Sequence, residues 1–572
     1  MQGHVISNVV GAVLLAVVVS LCPEETSNSA VDAIFADLTK PGSPGCALGI
    51  YRDGKIIYAK GYGLANLEEN LPITTQSVFD IASVSKQFTA ASILLLERQG
   101  KLRLDDDIRK FVPEVPDYSL HGSGKITILQ LLNHTSGVRD YGALLALAGI
   151  DDDDVTTDDD ALGIILGQKA LNFPPGTDWQ YGGSGYVLLS LAVQRASGKS
   201  LKDFAADNIF QPLGMVHSQY RNDHTALIPH RVQAYSASEN GGYRLNMPYG
   251  EESGDGMVHT TLEDLQKWDE NFYTGKVGGK NFAAEMETNG KLDDGTTLEY
   301  AKGLRVWTYR GLRAVGHTGG SGGYRAYYIR FPDQHFSVAC LCNLESVNRR
   351  KRVGAVIEAY LGGLMKPKGS AVVTSPTQQQ LQAVVGTYRD RRTGEIWRVT
   401  GRDSKLWVDF EGFPLEVRAL SPTEFEPLDY SFELRLKFEP EAEKGSVRRV
   451  TVEREMELPA ILEGIEEAKP TVAELGAYAG DYWSDELRAT YRVRMKDDKL
   501  WLKDMIGGDG IVHHTIPFDE MKPLRTDEFA LSGAPIVFHF MRDRANRVTG
   551  FVLDGFHERG MLFARSNSPS GA

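Results

Sequence analysis

Ser83 and Lys86, in the run Phe79-Asp-Ile-Ala-Ser-Val-Ser-Lys86, stand three residues apart at the opening of a long apolar stretch. In a helix that spacing puts both side chains on one face, so the lysine ammonium can lie beside the serine hydroxyl. A helix N-terminus adds free N–H groups and positive partial charge at the serine. A hydroxyl is a poor nucleophile until a neighbour takes its proton, and a packed lysine helps lower that barrier. Taken alone, the pair is equally a capping serine and a surface lysine. Companions follow in order, however. Pro174-Pro-Gly-Thr-Asp-Trp-Gln-Tyr181-Gly-Gly-Ser-Gly-Tyr186 comes first, and Val315-Gly-His317-Thr318-Gly319-Gly320-Ser-Gly-Gly-Tyr324 comes later. Leu131-Leu-Asn-His134-Thr-Ser-Gly137 and Gly256-Met-Val-His259-Thr-Thr-Leu-Glu-Asp-Leu265 are interspersed with them.

Together these motifs resemble the serine β-lactamase-related superfamily, beginning with its S-x-x-K signature. The branch is that of class C β-lactamases, D-aminopeptidases, D-alanyl-D-alanine carboxypeptidases and related esterases. The resemblance implies that Ser83 is the nucleophile of an acyl-enzyme and that Lys86 keeps the local field positive. It implies Tyr181 as general base, with Tyr186 left to the core. A phenol titrates near ~10, so it acts as a base only where cations stabilise its phenolate. Lys86 and His317 are expected to flank it for that purpose. The oxyanion is expected between the backbone N–H groups of Ser83 and Gly320, with Thr318 and Gly319 along the strand edge beside substrate.

Two positions depart from the family pattern. Gly183 stands where an Asn usually holds the substrate carbonyl, and Ser184 is the nearest group to take its place. His317 stands where a Lys often grips a substrate carboxylate, and a largely neutral imidazole is a weaker anchor. The His form is typical of D-aminopeptidases and esterase-like relatives. His134 and His259 fall in segments that read as turn or packing elements. Trp179 is expected under the Tyr181 loop or in the pocket wall.

These residues need a scaffold, and 572 residues are too many for one core. Apolar, β-prone runs at 46–51 and 55–62 flank Asp53-Gly54, a hairpin signal. The Ser83 helix ends near Gln99-Gly100, and a helical, turn-rich middle runs to about residue 285. Strands resume at 302–309, 313–318, 324–331 and 335–342, and 353–361 reads as a closing helix. The acidic runs Asp151–Asp154 and Asp158–Asp160 read as a solvated helix entry. Strands at both ends of a helical middle predict an α/β catalytic domain, an antiparallel sheet flanked by helices with a helical subdomain.

Beyond a linker at 366–380, Gly386, Tyr388, Lys405 and Trp407 recur as Gly480, Tyr482, Lys499 and Trp501, each 94 residues on. Two copies of alternating short strands predict two all-β antiparallel barrels, at 381–468 and 469–566. Such paired barrels resemble the three-domain layout of D-aminopeptidases. The second copy is longer around Asp504–His514, and the resemblance makes Asp509, then Asp504, the candidate for binding a substrate amine.

A net charge of −14 argues against nucleic acid or an anionic membrane as the main partner. No Cys/His spacing suits zinc, so no metal and no cofactor is expected. The apolar stretch Val9–Leu21 suits an export signal, assigned to residues 1–28, with an uncleaved anchor as the minor reading. A bacterial periplasmic or secreted location follows. Of Cys46, Cys340 and Cys342, the last two share a strand face, and no disulfide is expected. The expected activity is D-aminopeptidase-like hydrolysis of small amides or short peptides by a catalytic domain at 29–365. Esterase or β-lactam and D,D-peptide hydrolysis, or a non-catalytic cell-wall-peptide sensor, are the alternatives, and a homodimer is open.

Overall fold

The computed structural model describes residues 23–122, 124–150, 154–367, 377–403, 405–410, 413–428, 434–439, 447–454, 458–507 and 519–566. The segment assigned to export up to residue 22, most of the linker and Asp509 lie outside these residues. Among the described residues no helix is long and apolar enough to cross a membrane.

Six antiparallel strands form the sheet of the first domain, in the spatial order Arg305–Tyr309, Leu312–Ser321, Tyr324–Phe331, Phe336–Cys342, Cys46–Arg52 and Lys55–Tyr62. The last two are joined at Asp53-Gly54, both at positive φ, the conformation a two-residue hairpin turn requires. Both faces of the sheet are covered, so the central strand Phe336–Cys342 buries every residue and alternates between two cores. In Phe336–Cys342, Ala339 and Leu341 pack towards the helices Lys86–Arg98 and Leu262–Thr274. Phe336, Val338, Cys340 and Cys342 pack towards Pro23–Ile34 and Arg349–Leu361. The helical middle, centred on Ser184–Ser197, packs against Lys86–Arg98 in the first of these cores.

The cysteines correct the expectation of no disulfide. Cys46 lies directly opposite Cys342 in the ladder, on the same face, and the two are bonded across 296 residues of chain. Counting an odd number of thiols hid this, because the pairing depends on which strands are neighbours. Cys340 remains a buried free thiol.

The 94-residue repeat folds as two closed barrels of eight strands in sequential order. The first runs from Gly386–Asp390 to Ala460–Ile465, and the second from Gly480–Ser484 to Glu558–Arg565. Each closes by pairing its last strand with its first, a closure that leaves no exposed sheet edge.

Candidate active site

Ser83 sits in a single tight turn, Ala82–Ser85, that leads directly into the helix Lys86–Arg98. The turn is held open from below: Ala82 adopts φ +46° while its N–H donates to Asp80 Oδ1 at 2.7 Å. The three-residue spacing does what it promises. Lys86 Nζ donates to Ser83 Oγ at 3.1 Å and to the Asp255 carbonyl at 2.7 Å. Burial presses Lys86 towards neutrality, but Tyr181 and Asp255 outweigh it and hold its pKa above the ordinary lysine value. Lys86 is therefore an ammonium.

Tyr181 arrives from the loop before Ser184–Ser197, with its ring centroid 5.0 Å from Lys86 Nζ. Its hydroxyl is buried and makes no well-formed hydrogen bond among the described residues. Tyr186 is core, donating to the Leu132 carbonyl at 2.9 Å. Trp179 is buried in an apolar group with Leu292, Leu298 and Tyr300, against which Tyr181 packs, and it also lines the cleft.

The strand Leu312–Ser321 closes the other side. Only Leu312 to Gly316 pair with Arg305–Tyr309, so His317 to Ser321 run on past that neighbour. This free edge lies on the serine turn so tightly that a Cβ at Gly319 would stand 2.2 Å from the Ile81 carbonyl oxygen. No other residue fits there. Thr318, Gly319 and Gly320 line one cleft with Ser83 and Tyr181.

His317 differs from expectation in one respect. Burial first, then the Lys86 charge, lowers its pKa to about 3, so it brings no positive charge to Tyr181. Its Nδ1 is 2.5 Å from the Thr318 carbonyl, which fixes the proton there. Nε2 then accepts from the Tyr300 hydroxyl at 3.0 Å. His134 comes closer to the chemistry than a packing element need do, its ring centroid 4.6 Å from those of both Tyr181 and Tyr300. His259 packs in a small sheet, with burial lowering its pKa to about 4.

Sequence reasoning missed Tyr300 and Asp255, which carry no motif of their own. Ser184 does not replace the absent Asn side chain at Gly183: its hydroxyl donates to the Arg139 carbonyl at 2.8 Å and accepts from the Tyr141 N–H. Asp504 is turned to Arg492, 3.5 Å away on the neighbouring strand, rather than to the cleft. Thr157 caps the helix Asp158–Leu166 with Asp160, as the acidic run implied. Among the described residues two groups could gather ligands for a metal, Cys46–Cys340–Cys342 and Asp223–His224–Glu251, and neither includes a residue of the cleft lining.

Both barrels reach this cleft. Arg392 and Arg454 of the first line it, as do His557 and Arg559 of the second. Glu558 accepts from Gln180 Nε2 at 3.1 Å and from Asn172 Nδ2 at 2.8 Å, so the second barrel grips the residue just before Tyr181.

Residues 31–361 match the Beta-lactamase family. Penicillin-binding protein 4* of Bacillus subtilis is 28% identical over 420 residues, 69% of this chain and 90% of that protein. A D-aminopeptidase of Gluconobacter oxydans is 27% identical over 375 residues, 66% of this chain and 67% of that protein. In three dimensions the chain resembles an octameric penicillin-binding protein homologue from Pyrococcus abyssi, with a TM-score of 0.53 at 23% identity. That match covers 77% of this chain and 99% of the other.

Proposed function

The chain belongs to the Beta-lactamase family, and we propose that within it the protein is an exported serine hydrolase that cleaves small amides or short peptides with a free amino end. The observation that carries this is the Lys86 ammonium on Ser83 Oγ at 3.1 Å, with the unpartnered Tyr181 hydroxyl beside it.

An ammonium cannot accept the serine proton. Lys86 instead steadies the developing negative charge, and Tyr181 is the group left to take the proton as Ser83 attacks the amide carbonyl. The tetrahedral oxyanion is met by the backbone N–H groups of Ser83 and Gly320, donors of a kind whose removal costs about a hundredfold or more in rate. Tyr181 then returns the proton to the departing amine. Water attacks the acyl-enzyme by the same route and frees Ser83.

Neutral His317, held by Tyr300 and the Thr318 carbonyl, offers no charge to a substrate carboxylate. That favours aminopeptidase over carboxypeptidase chemistry and agrees with the D-aminopeptidase relatives. The apolar Val9–Leu21 run and the Cys46–Cys342 disulfide, a bond that lasts in oxidising compartments, support export.

The test is release of p-nitroaniline from D-alanyl-p-nitroanilide, with Ser83→Ala alongside. Release by the wild type that disappears in the variant is the expected result. A folded wild type that releases nothing, or that is labelled stoichiometrically by a fluorescent penicillin without turnover, overturns the reading.

A further inference from the structure

Gly183 is not next to empty space. A Cβ there would lie 2.6 Å from Asp255 Oδ2 and 2.7 Å from Tyr141 Cε1, both closer than real atoms pack. The Asp255 carboxylate and the Tyr141 ring thus fill the volume that a side chain at 183 would need.

The Asp255 carboxylate faces the cleft that holds Ser83, with its side chain 20% exposed. Its Oδ2 accepts from the Tyr141 hydroxyl at 3.3 Å and is 4.0 Å from Lys86 Nζ. The short bond from Lys86, 2.7 Å, goes to the backbone carbonyl of the same residue. Lys86 is therefore held mainly by the Asp255 main chain, and the carboxylate, at the 4.0 Å edge of an ion pair with it, keeps a face open to the cleft. Glu252 lines the same flank, where burial raises its pKa from 4.5 to about 7. A neutral amide at position 183 would treat charged and uncharged acyl groups much alike; a carboxylate does not.

We propose that Asp255 binds the free ammonium of an aminoacyl substrate and so selects unblocked amines over N-acylated ones. This rests on the aminopeptidase reading and names the group that recognises the amine. The carboxylate lines the same cleft as Ser83, with Lys86 Nζ 4.0 Å from it and 3.1 Å from Ser83 Oγ, and an N-acyl group would bring a carbonyl dipole, not a positive charge, against it.

Two assays on the purified full chain test it. In the first, kcat/KM is measured for D-alanyl-p-nitroanilide and for N-acetyl-D-alanyl-p-nitroanilide, with wild type and Asp255→Asn. The variant keeps the main-chain carbonyl and nearly the same shape. The expected result is a loss on the free amine, carried mainly by KM, that exceeds by about thirtyfold or more whatever kcat loss both substrates share through the Lys86 contact. An equal loss on both substrates, or none on either, overturns the proposal.

The second assay follows p-nitrophenyl acetate hydrolysis and its inhibition by D-alaninamide and by N-acetyl-D-alaninamide. Stronger inhibition by the free amine, lost in Asp255→Asn, supports the proposal whether or not the anilide is cleaved. Ester turnover without anilide cleavage removes the aminopeptidase reading alone. Equal inhibition by the two amides in the wild type removes the role of Asp255, and needs no variant to fold.

Discussion

In the first barrel Tyr388 donates to the Val384 carbonyl at 2.8 Å, and in the second Tyr482 donates to the Tyr478 carbonyl at 2.6 Å, the same bond one repeat later. The internal design of the two copies is shared, but their attachment to the catalytic domain is not. The second barrel merges its core with the helix Tyr141–Leu147, so that Leu144 and Leu147 pack among Tyr491, Met505 and Phe563. It adds an Arg139–Glu486 pair at 2.7 Å, with side chains only 1% and 5% exposed. The first barrel meets the catalytic domain through Arg392–Asp178, also 2.7 Å but with Arg392 35% exposed, and through Leu458 against the Tyr181 group. A duplicated module has thus kept its fold in both places while one copy became part of the frame behind Tyr181.

The contrast can be broken at its strongest point. Arg139→Ala strands a buried carboxylate and is expected to cost about 3–5 kcal/mol. Calorimetry should show one joint transition of the second barrel and the catalytic domain in the wild type, and two in the variant. A single, barely shifted transition would mean that the shared apolar core alone holds the barrel.

Reduction of Cys46–Cys342 is the next largest, about 2–4 kcal/mol. It should lower the joint melting of the catalytic domain and second barrel without touching the transition of the first barrel, because all four cysteines precede both barrels. Loss of first-barrel stability on reduction would contradict that separation.

Glu558 sharpens the comparison through pH. Burial first, then Asp140, raises its pKa from 4.5 to about 8. The folded state thus holds a proton that the unfolded chain has released, and stability falls as pH rises from about 4.5 to about 8. The melting temperature of Glu558→Gln relative to wild type should therefore climb through that window. A constant difference would show that Glu558 is ionised throughout. Arg392→Ala, at the half-exposed contact of the first barrel, is expected to cost about 1 kcal/mol or less. A loss as large as that of Arg139→Ala would erase the asymmetry.

What was legible in the chain was what is local or periodic. Ser83 and Lys86 are three apart on one turn, and the barrels announce themselves because Gly386, Tyr388, Lys405 and Trp407 in the first strands of one copy have counterparts 94 residues on in the other. Gly319 was read as letting substrate approach the strand edge, whereas the close approach in the structure is that of the strand to the Ile81 carbonyl before the serine turn. Tyr300 and Asp255 were not legible, because their importance comes from neighbours 17 and 169 residues away in sequence. The absence of Asn at 183 did signal that something else must occupy its place, but nothing in the local sequence says that it comes from the Gly254-Asp-Gly256 turn. The disulfide was hidden for the same reason: register across a sheet is a property of the fold. His317 was recognised as a poor carboxylate anchor, yet the Tyr300 hydroxyl that occupies it came from outside the motif.

The bond between Cys46 and Cys342 also makes a covalent ring of the catalytic domain. Ser83, Lys86, Tyr181, Asp255, Tyr300 and His317 all lie inside the ring, and both barrels lie outside it. A protease that cuts one surface loop within the ring leaves two pieces still tethered, so the nicked chain migrates intact until it is reduced. A cut beyond Met365 meets no such tether, and the barrels then stay in place only through contacts such as Arg139–Glu486. The part that holds Ser83 and its partners is the part that survives a single cut.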